Sequence, residues 1–144
     1  MPTTYTDICI YSYNSRGFGS DKQEICILLL TKSGTVMPIM CNKEHFLMKN
    51  NDYKIKRALP DYHIFFKQAL MDNVYGRPKN RMFVAVPMEV KSHILDLSPH
   101  HWRVQAIMMK TVESTILVIN TYFPTDPRIK DFDASDLVST LQAI

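Results

Sequence analysis

The feature that most constrains the fold is a series of short apolar segments that end in polar residues. The segment "DICIYSYN" (residues 7–14) ends at Asn14, and "TVMPIMC" (residues 35–41) is followed by "NKEH". A third, "STILVINTYFP" (residues 114–124), ends in Asn, Tyr and Pro. β-branched and aromatic residues favour strands, and polar groups at strand ends can line a crevice. The sequence therefore predicts a sheet whose strand ends carry the functional side chains.

A helix is predicted between the first two segments. In "SDKQ" the side chain of Ser20 can accept from the amide of Gln23 while Gln23 reaches back, which is the pattern of a capping box. Gly34 offers a C-terminal stop. The predicted apolar face consists of Ile25, Leu28 and Leu29. A strand-helix-strand unit is the expected result.

The second half of the chain is mostly β in pattern. Four candidate strands cover residues 62–70, 81–90, 101–110 and 114–124. Turn or polar residues separate them, so we predict an antiparallel meander. Residues 46–60 are predicted as a loop or short helix. A last helix is predicted after Asp133, which is its candidate N-cap. Its apolar residues are Ala134, Leu137, Val138, Leu141 and Ile144.

Composition indicates one globular domain, predicted to be intracellular. The 144 residues are 46% apolar and 22% charged, which is ordinary for a soluble protein. The longest apolar run, Ile25 to Leu30, is too short to span a bilayer, and no signal peptide is recognisable. Three cysteines without metal-ligand spacing suggest neither disulfides nor zinc. The net charge of +3 permits a polyanionic partner without requiring one.

Three strand ends carry the candidate site. Their polar residues are Asn14 with Arg16, Glu44 with His45, and Asn120 with Tyr122. A carboxylate after an apolar strand, as at Glu44, suits Mg²⁺, which prefers one or two carboxylates, water and phosphate oxygens. The alternative is that each residue is only a satisfied polar group at a strand end. Spacing alone leaves both open.

Four segments together resemble a known family. They are "YSYNSRGFGSDKQEIC", "CNKEHFL", "YGRPKNRMFVAV" and "ILVINTYFPTD". In this order they are similar to successive motifs of the endonuclease/exonuclease/phosphatase superfamily, in particular the endonuclease domain of LINE-type (non-LTR) retrotransposons. The resemblance implies the N-terminal half of a four-layered α/β/β/α sandwich with mixed, mostly antiparallel sheets and flanking helices. It also implies nicking of DNA with Mg²⁺, or with Mn²⁺ in its place.

The same resemblance assigns roles to individual residues. Asn14 and Glu44 match the metal-site asparagine and glutamate, and Tyr122 matches the tyrosine that positions the scissile phosphate. Asn14, Glu44 and Tyr122 are therefore the expected catalytic residues. The expected substrate-binding neighbours are Arg16, His45 and Asn120, although His45 is expected to be either structural or DNA-facing and a structural role is the stronger expectation for Asn120.

The chain also departs from the family pattern. Lys43 stands where the family usually has glutamine, and Asn42 stands where it usually has an apolar residue. Lys43 either pairs with Glu44 and competes with a metal, or points away. After "GRP" the family usually has a turn with glycine, whereas residues 79–81 here are Lys, Asn and Arg.

The motifs of the family's second half do not follow Ile144, so the resemblance implies an N-terminal portion that is inactive as this chain alone. The alternative function is a degenerate or domesticated remnant that acts as a binding or interaction module. A third hypothesis is a phosphatase or apurinic-site branch of the superfamily. An uncovered sheet face in such a half-sandwich predicts self-association.

Overall fold

A computed structural model describes residues 5–31, 34–45, 47, 51–67, 81–99, 101, 103–122 and 134–144. Within these ranges the chain forms seven strands, three α-helices and a 3₁₀ helix. In chain order they are β1 (Asp7–Asn14), α1 (Ser20–Leu29), β2 (Val36–Lys43), α2 (Tyr53–Ala58), β3 (Tyr62–Lys67), β4 (Met82–Pro87), the 3₁₀ helix (Met88–His93), β5 (Ile94–Asp96), β6 (Val104–Lys110), β7 (Thr115–Thr121) and α3 (Ala134–Gln142).

The first sheet has the strand order β1-β2-β4-β3. Strands β1 and β2 are parallel and pair from Asp7 opposite Val36 to Asn14 opposite Lys43. Helix α1 makes the crossover that a parallel pair requires. The other two pairings in this sheet are antiparallel. The predicted strand-helix-strand unit is therefore confirmed.

The second sheet contains β5, β6 and β7 in antiparallel order. The prediction of one meander from residue 62 onward is thus wrong, because β3 and β4 belong to the first sheet. Strand β4 ends at Pro87, where the chain enters the 3₁₀ helix instead of continuing to Val90. Proline has no N–H to donate to a ladder, which favours a strand end here. The sequence also missed the short strand β5.

The two sheets pack face to face over an apolar core. Alternate residues of β2, namely Met37, Ile39 and Cys41, point into this core, as side chains with a period of two require. The other members from the strands are Val84, Val86, Ile94, Ile107, Met109 and Val118. Burial of side chains of this size stabilises the fold by roughly 1.5–3 kcal/mol each.

Helices α1 and α2 cover the opposite face of the first sheet. The intervening residues of the same strands, including Met40 and Phe83, point to this side. The rings of Phe18 and Phe83 meet edge to face, with centroids 5.9 Å apart. Helix α2 contributes Ile55, which is fully buried. It lies within the segment that the sequence predicted as a loop or short helix.

Helix α1 differs from its prediction in both its cap and its buried face. Gly19 is the N-cap and no side chain caps the helix, because the Gln23 backbone amide donates to the Gly19 carbonyl at 3.0 Å. The side-chain nitrogen of Gln23 donates to the Phe18 carbonyl, also at 3.0 Å. The predicted face is only partly right, since Leu29 packs against the core but Leu28 is 74% exposed, whereas Cys26 is fully buried. The seven consecutive residues "ICILLLT" are all uncharged and mostly apolar. Such a run does not show which side of the helix is buried.

The helix also ends earlier than predicted, at Leu29. The amide of Leu30 donates back to the Cys26 carbonyl at 3.0 Å. Gly34 lies in the turn that leads into β2, where its φ of 59° favours glycine.

Helix α3 contacts β6 and buries Leu137. Because the first sheet fills the inner face of the second, α3 lies on its outer side, and helices flank both sheets. This confirms the predicted α/β/β/α fold class. Asp133, the predicted N-cap, lies outside the described residues, as do residues 68–70, 79, 80, 123 and 124 of other predicted elements.

The outer face of the second sheet retains exposed apolar side chains at Leu95, Leu117 and Ile119. Self-association through this face stays a prediction. Among the residues that the structure describes, no helix is long and apolar enough to cross a membrane.

Candidate active site

The parallel pairing of β1 and β2 brings Asn14 and Glu44 to the same edge of the first sheet. Asn14 ends β1 opposite Lys43, and Glu44 is the next residue after β2. The two segments that follow β1 and β2 remain hydrogen-bonded beyond the strands, because the Ser15 amide donates to the Lys43 carbonyl at 3.0 Å. Gly17 likewise donates to the Glu44 carbonyl at 2.7 Å. The Asn14 side chain is exposed, so it can meet a ligand at this edge.

Glu44 has a backbone conformation that L-residues rarely adopt. Its φ is 60°, and Arg16 in the facing loop has a φ of 48°. The left-handed region costs a residue with a side chain roughly 1–2 kcal/mol. The hydrogen bond from Gly17 to the Glu44 carbonyl helps to hold this turn. The conformation of the half-buried Glu44 is therefore fixed by contacts with neighbouring residues, because the backbone preference of glutamate itself disfavours it.

Tyr122 reaches the same place from the second sheet. Its amide donates to the Arg103 carbonyl at 3.0 Å, directly after β7. Its phenol lies close enough to the Glu44 carboxylate for that side chain to raise its pKa. Burial and then Glu44 raise the pKa of Tyr122 to about 12. Tyr122 therefore keeps its proton at neutral pH and remains a hydrogen-bond donor.

Two arginines add positive charge beside Tyr122. The Arg103 guanidinium carbon lies 5.3 Å from the centre of the Tyr122 ring. The charges of Arg103 and Arg16 both oppose the rise in the pKa of Tyr122, which places them close to the phenol. Arg16 is exposed, whereas Arg103 is buried. This edge can therefore hold an anionic group.

Asn120 lies in the interior and does not face a substrate. It is 1% exposed, and its side-chain nitrogen donates to the Asn42 carbonyl at 3.1 Å. The same nitrogen lies 3.4 Å from Oε1 of Gln105. This geometry fits the structural alternative and not the substrate contact also expected for Asn120.

His45 is buried as well, with 1% of its surface exposed. Its amide donates to the Arg81 carbonyl at 3.3 Å, and its Nδ1 accepts from the Leu47 amide at 3.1 Å. Burial and the nearby Arg81 charge lower the pKa of His45 to about 3. The imidazole is thus neutral and accepts from the Leu47 backbone, while the backbone amide of His45 holds the residue to Arg81. This burial fits the structural alternative for His45 and not the direct substrate contact.

The structure shows the contacts of Lys43 and Asn42, the two residues at which the chain departs from the family pattern. Lys43 points away from Glu44, because its Nζ donates to the Ser12 hydroxyl at 2.6 Å. Asn42 is fully buried, and its side-chain nitrogen donates to Oγ of Ser15 at 3.2 Å. The parts played by Ser15 and Gln105 were not predicted from the sequence. The available signal was a polar residue inside an apolar strand, as at Asn42 and Gln105.

The donor set at this edge suits a hard cation. Glu44 offers carboxylate oxygen and Asn14 offers amide oxygen, and Mg²⁺ accepts one or two protein oxygens with water in its other positions. Within the described ranges no group of three or more His, Cys, Asp or Glu side chains forms a metal cluster, so these residues hold no all-protein cage. The residues present therefore fit Mg²⁺ shared with a phosphate ligand.

Comparison with known proteins supports the fold. No protein family model matches the chain, and no curated protein matches it. Among solved structures, the chain is similar to the AP endonuclease LMAP from Leishmania major, with a TM-score of 0.56 and 12% identity. The match covers 80% of this chain and 40% of that structure. At this identity the likeness establishes the α/β fold, and this chain spans less than half of the solved neighbour.

Proposed function

We propose that this chain carries the metal-binding and phosphate-binding part of a Mg²⁺-dependent DNA endonuclease site. The observation that carries the proposal is the closeness of the Tyr122 phenol to the Glu44 carboxylate, which brings together the ends of two sheets. Asn14 stands beside them at the end of the neighbouring strand. The likeness to a solved AP endonuclease supports the same class of chemistry.

Glu44 is the metal-binding carboxylate of the proposed site, with Asn14 as its neutral neighbour. When bound, Mg²⁺ would supply charge that polarises a phosphoryl oxygen and stabilises the departing oxyanion. The Asn14 amide adds an oxygen ligand, or a hydrogen bond to phosphate, without a second negative charge. A single carboxylate therefore leaves the site attractive to the anionic backbone of DNA.

Tyr122 positions the phosphate in this proposal. Because its pKa is raised to about 12, it donates a hydrogen bond throughout the physiological range. Arg16 is exposed beside it and contributes a charge-assisted contact to phosphate. His45 and Asn120 hold the surrounding backbone from the interior.

We also propose that the source of the domain is a LINE-type retrotransposon. The support is the order of the four segments from "YSYNSRG" to "ILVINTYFPTD". The solved neighbour is an AP endonuclease, so the apurinic-site branch is the natural competitor. Anisotropy titration against an intact duplex and a duplex with a stable abasic analogue separates them. Equal affinity supports the LINE-type proposal, and a strong preference for the abasic duplex supports the other branch.

The central test is DNA binding with and without Mg²⁺. The variant Glu44→Gln keeps the shape of the side chain and removes its charge, and Glu113→Gln is the matched control in the exposed turn between β6 and β7. We expect Mg²⁺ to tighten DNA binding by the parent chain and by Glu113→Gln, and to have no effect on Glu44→Gln. An equal response in both variants would overturn the assignment of Glu44.

Cleavage is the second readout of the same variants. We expect nicking of supercoiled DNA by this chain alone to be weak, because the proposed site residues include no general base and such a base is worth roughly 10²-fold or more. Any nicking that does occur should require Glu44. Efficient nicking that survives Glu44→Gln would contradict the proposed site.

A further inference from the structure

A row of buried polar side chains runs beneath the candidate site. Oγ of Ser15 and the side-chain amide of Asn42 pair across 3.2 Å. The carbonyl of Asn42 accepts from Asn120 at 3.1 Å, and Asn120 also lies 3.4 Å from Gln105. Gln105 in turn donates to the Phe65 carbonyl at 2.6 Å. The four side chains are each no more than 1% exposed, and the row crosses both sheets.

Three members of this row lie next to a residue of the proposed site. Ser15 directly follows Asn14, Asn42 stands two residues before Glu44, and Asn120 stands two residues before Tyr122. The row therefore connects the three strand ends from below. Asn42 is the central member, because its side chain holds the loop after β1 and its backbone carbonyl holds β7 through Asn120.

Buried polar groups without partners are costly, while a fully bonded pair specifies one arrangement. At Asn42 the side chain provides the partner of a fully buried Ser15. Ser15 Oγ also lies 3.3 Å from the Lys43 carbonyl, so the pair holds the backbone on the residue before Glu44. The strained φ of Glu44 makes this support necessary.

We propose that Asn42 is a positioning residue, which fixes the loop of residues 15–17 against the end of β2 so that Asn14 and Glu44 meet one ligand. Asn42 does not touch that ligand. The inference rests on the proposed function for the identity of the ligand, but the geometric part of it stands without one.

The geometric part is tested by amide hydrogen exchange, followed by NMR. The reporters are the amides of Ser15 and Gly17, which bond to the carbonyls of Lys43 and Glu44. The variant Asn42→Leu has a similar volume and no polar atoms. We expect both amides to exchange about 10-fold faster, because that factor corresponds to the loss of roughly one net hydrogen bond. The Leu30 amide, which caps the C-terminus of α1, should be unchanged, and unchanged exchange at Ser15 and Gly17 would overturn the inference.

The variant Ser15→Ala is the second probe, since it removes one hydroxyl and tests the pair even if Asn42→Leu does not fold. It should accelerate the same two amides. The double variant should show no more acceleration than Asn42→Leu alone, because the two side chains act as one pair. Independent, additive effects of the two substitutions would contradict the pairing.

Metal affinity separates positioning from mere stability. Mn²⁺ binding is measured by isothermal titration on the folded chain. We expect Asn42→Leu to weaken binding by about 10-fold, as is typical when a residue that supports a metal ligand is lost. The control is Ile39→Val, which removes one buried methyl group from the same strand and should leave Mn²⁺ affinity unchanged.

The outcomes distinguish the two proposals. If the parent chain binds Mn²⁺ and Asn42→Leu binds it equally well, Asn42 is not a positioning residue. If the parent chain does not bind Mn²⁺, the proposed metal site fails, and the exchange of the Ser15 and Gly17 amides alone decides whether Asn42 orders the loop.

Discussion

The amide of Gly17 donates to the carbonyl oxygen of Glu44 across 2.7 Å, and this contact joins the two loops that follow β1 and β2. Gly17 makes it with a φ of 125°, a conformation that is almost restricted to glycine. The site therefore depends on a glycine as well as on its polar residues.

We predict that Gly17→Ala destabilises the fold by about 1–3 kcal/mol. No atom lies within 4 Å of a Cβ built at this position, so the cost is conformational and not steric. Urea denaturation measures it. Gly19→Ala is the matched control, because its φ is −71° and the nearest atom is Oδ1 of the flexible Asp21 side chain at 3.3 Å. Equal losses in the two variants would contradict the prediction.

We predict that Glu44→Gln lowers the pKa of Tyr122. The carboxylate contributes to the rise of this pKa to about 12, but burial is the larger cause. The new value should therefore lie between 12 and the ordinary 10.0 of tyrosine. NMR of ¹³Cζ-labelled tyrosine follows the titration. Tyr62, whose pKa is raised by burial, Glu89 and Asp61, serves as the internal reference and should not move.

We predict that His45 makes the fold less stable in acid. Because its folded pKa is about 3 and its unfolded value is 6.5, the unfolded state takes up the proton first as pH falls. The contribution of the neutral imidazole to the stability of the fold is fully present above pH 6.5 and declines as the pH falls from there toward 3. At pH 5 the loss from this group is about 2 kcal/mol relative to pH 7.

Urea midpoints at pH 7 and pH 5 check this prediction for the parent chain and for His45→Gln, whose side chain can still accept from the Leu47 amide. The variant should show the smaller loss between the two pH values. His63→Gln is the control on β3, since His63 is only partly buried. If His45→Gln has the same pH dependence as the parent chain, the imidazole is not held neutral.

We predict that the three cysteines differ in reactivity toward iodoacetamide at pH 8. Burial raises the pKa of the Cys26 thiol to about 12 and also raises the pKa of Cys41, whereas Cys9 is only partly buried. Cys9 should be alkylated first, as mass spectrometry of the native protein can show. In urea all three should react alike. Modification of native Cys26 as fast as Cys9 would mean that α1 does not pack as described.

The sequence predicted the strand ends well because polar residues after apolar strands are a local pattern. Asn14, Glu44 and Tyr122 do converge, although their functional roles stay proposals. The partition of strands into two sheets was missed, since a period of two says which side chains share a face but not which strands pair. The buried face of α1 was predicted only in part because Ile25, Cys26 and Leu28 are all apolar.

The interior of the site could not be read from the sequence for a different reason. Asn42 and Asn120 are hydrogen-bonded across 78 positions, and no local pattern records such a partner. An asparagine in a strand is equally compatible with an exposed edge, a turn or a buried pair. Only the packing of one sheet on the other selects among these.

The bond between Asn42 and Asn120 also has a consequence for the order of assembly. Bringing Asn42 and Asn120 together closes a long loop, which costs conformational entropy before the contact can form. Contacts between residues so far apart in the sequence slow folding. During synthesis, β1 and β2 can pair long before Tyr122 leaves the ribosome, but Glu44 then has no phenol beside it. The edge that carries the proposed site is therefore completed only when both sheets have docked, so that a partly made chain does not present it.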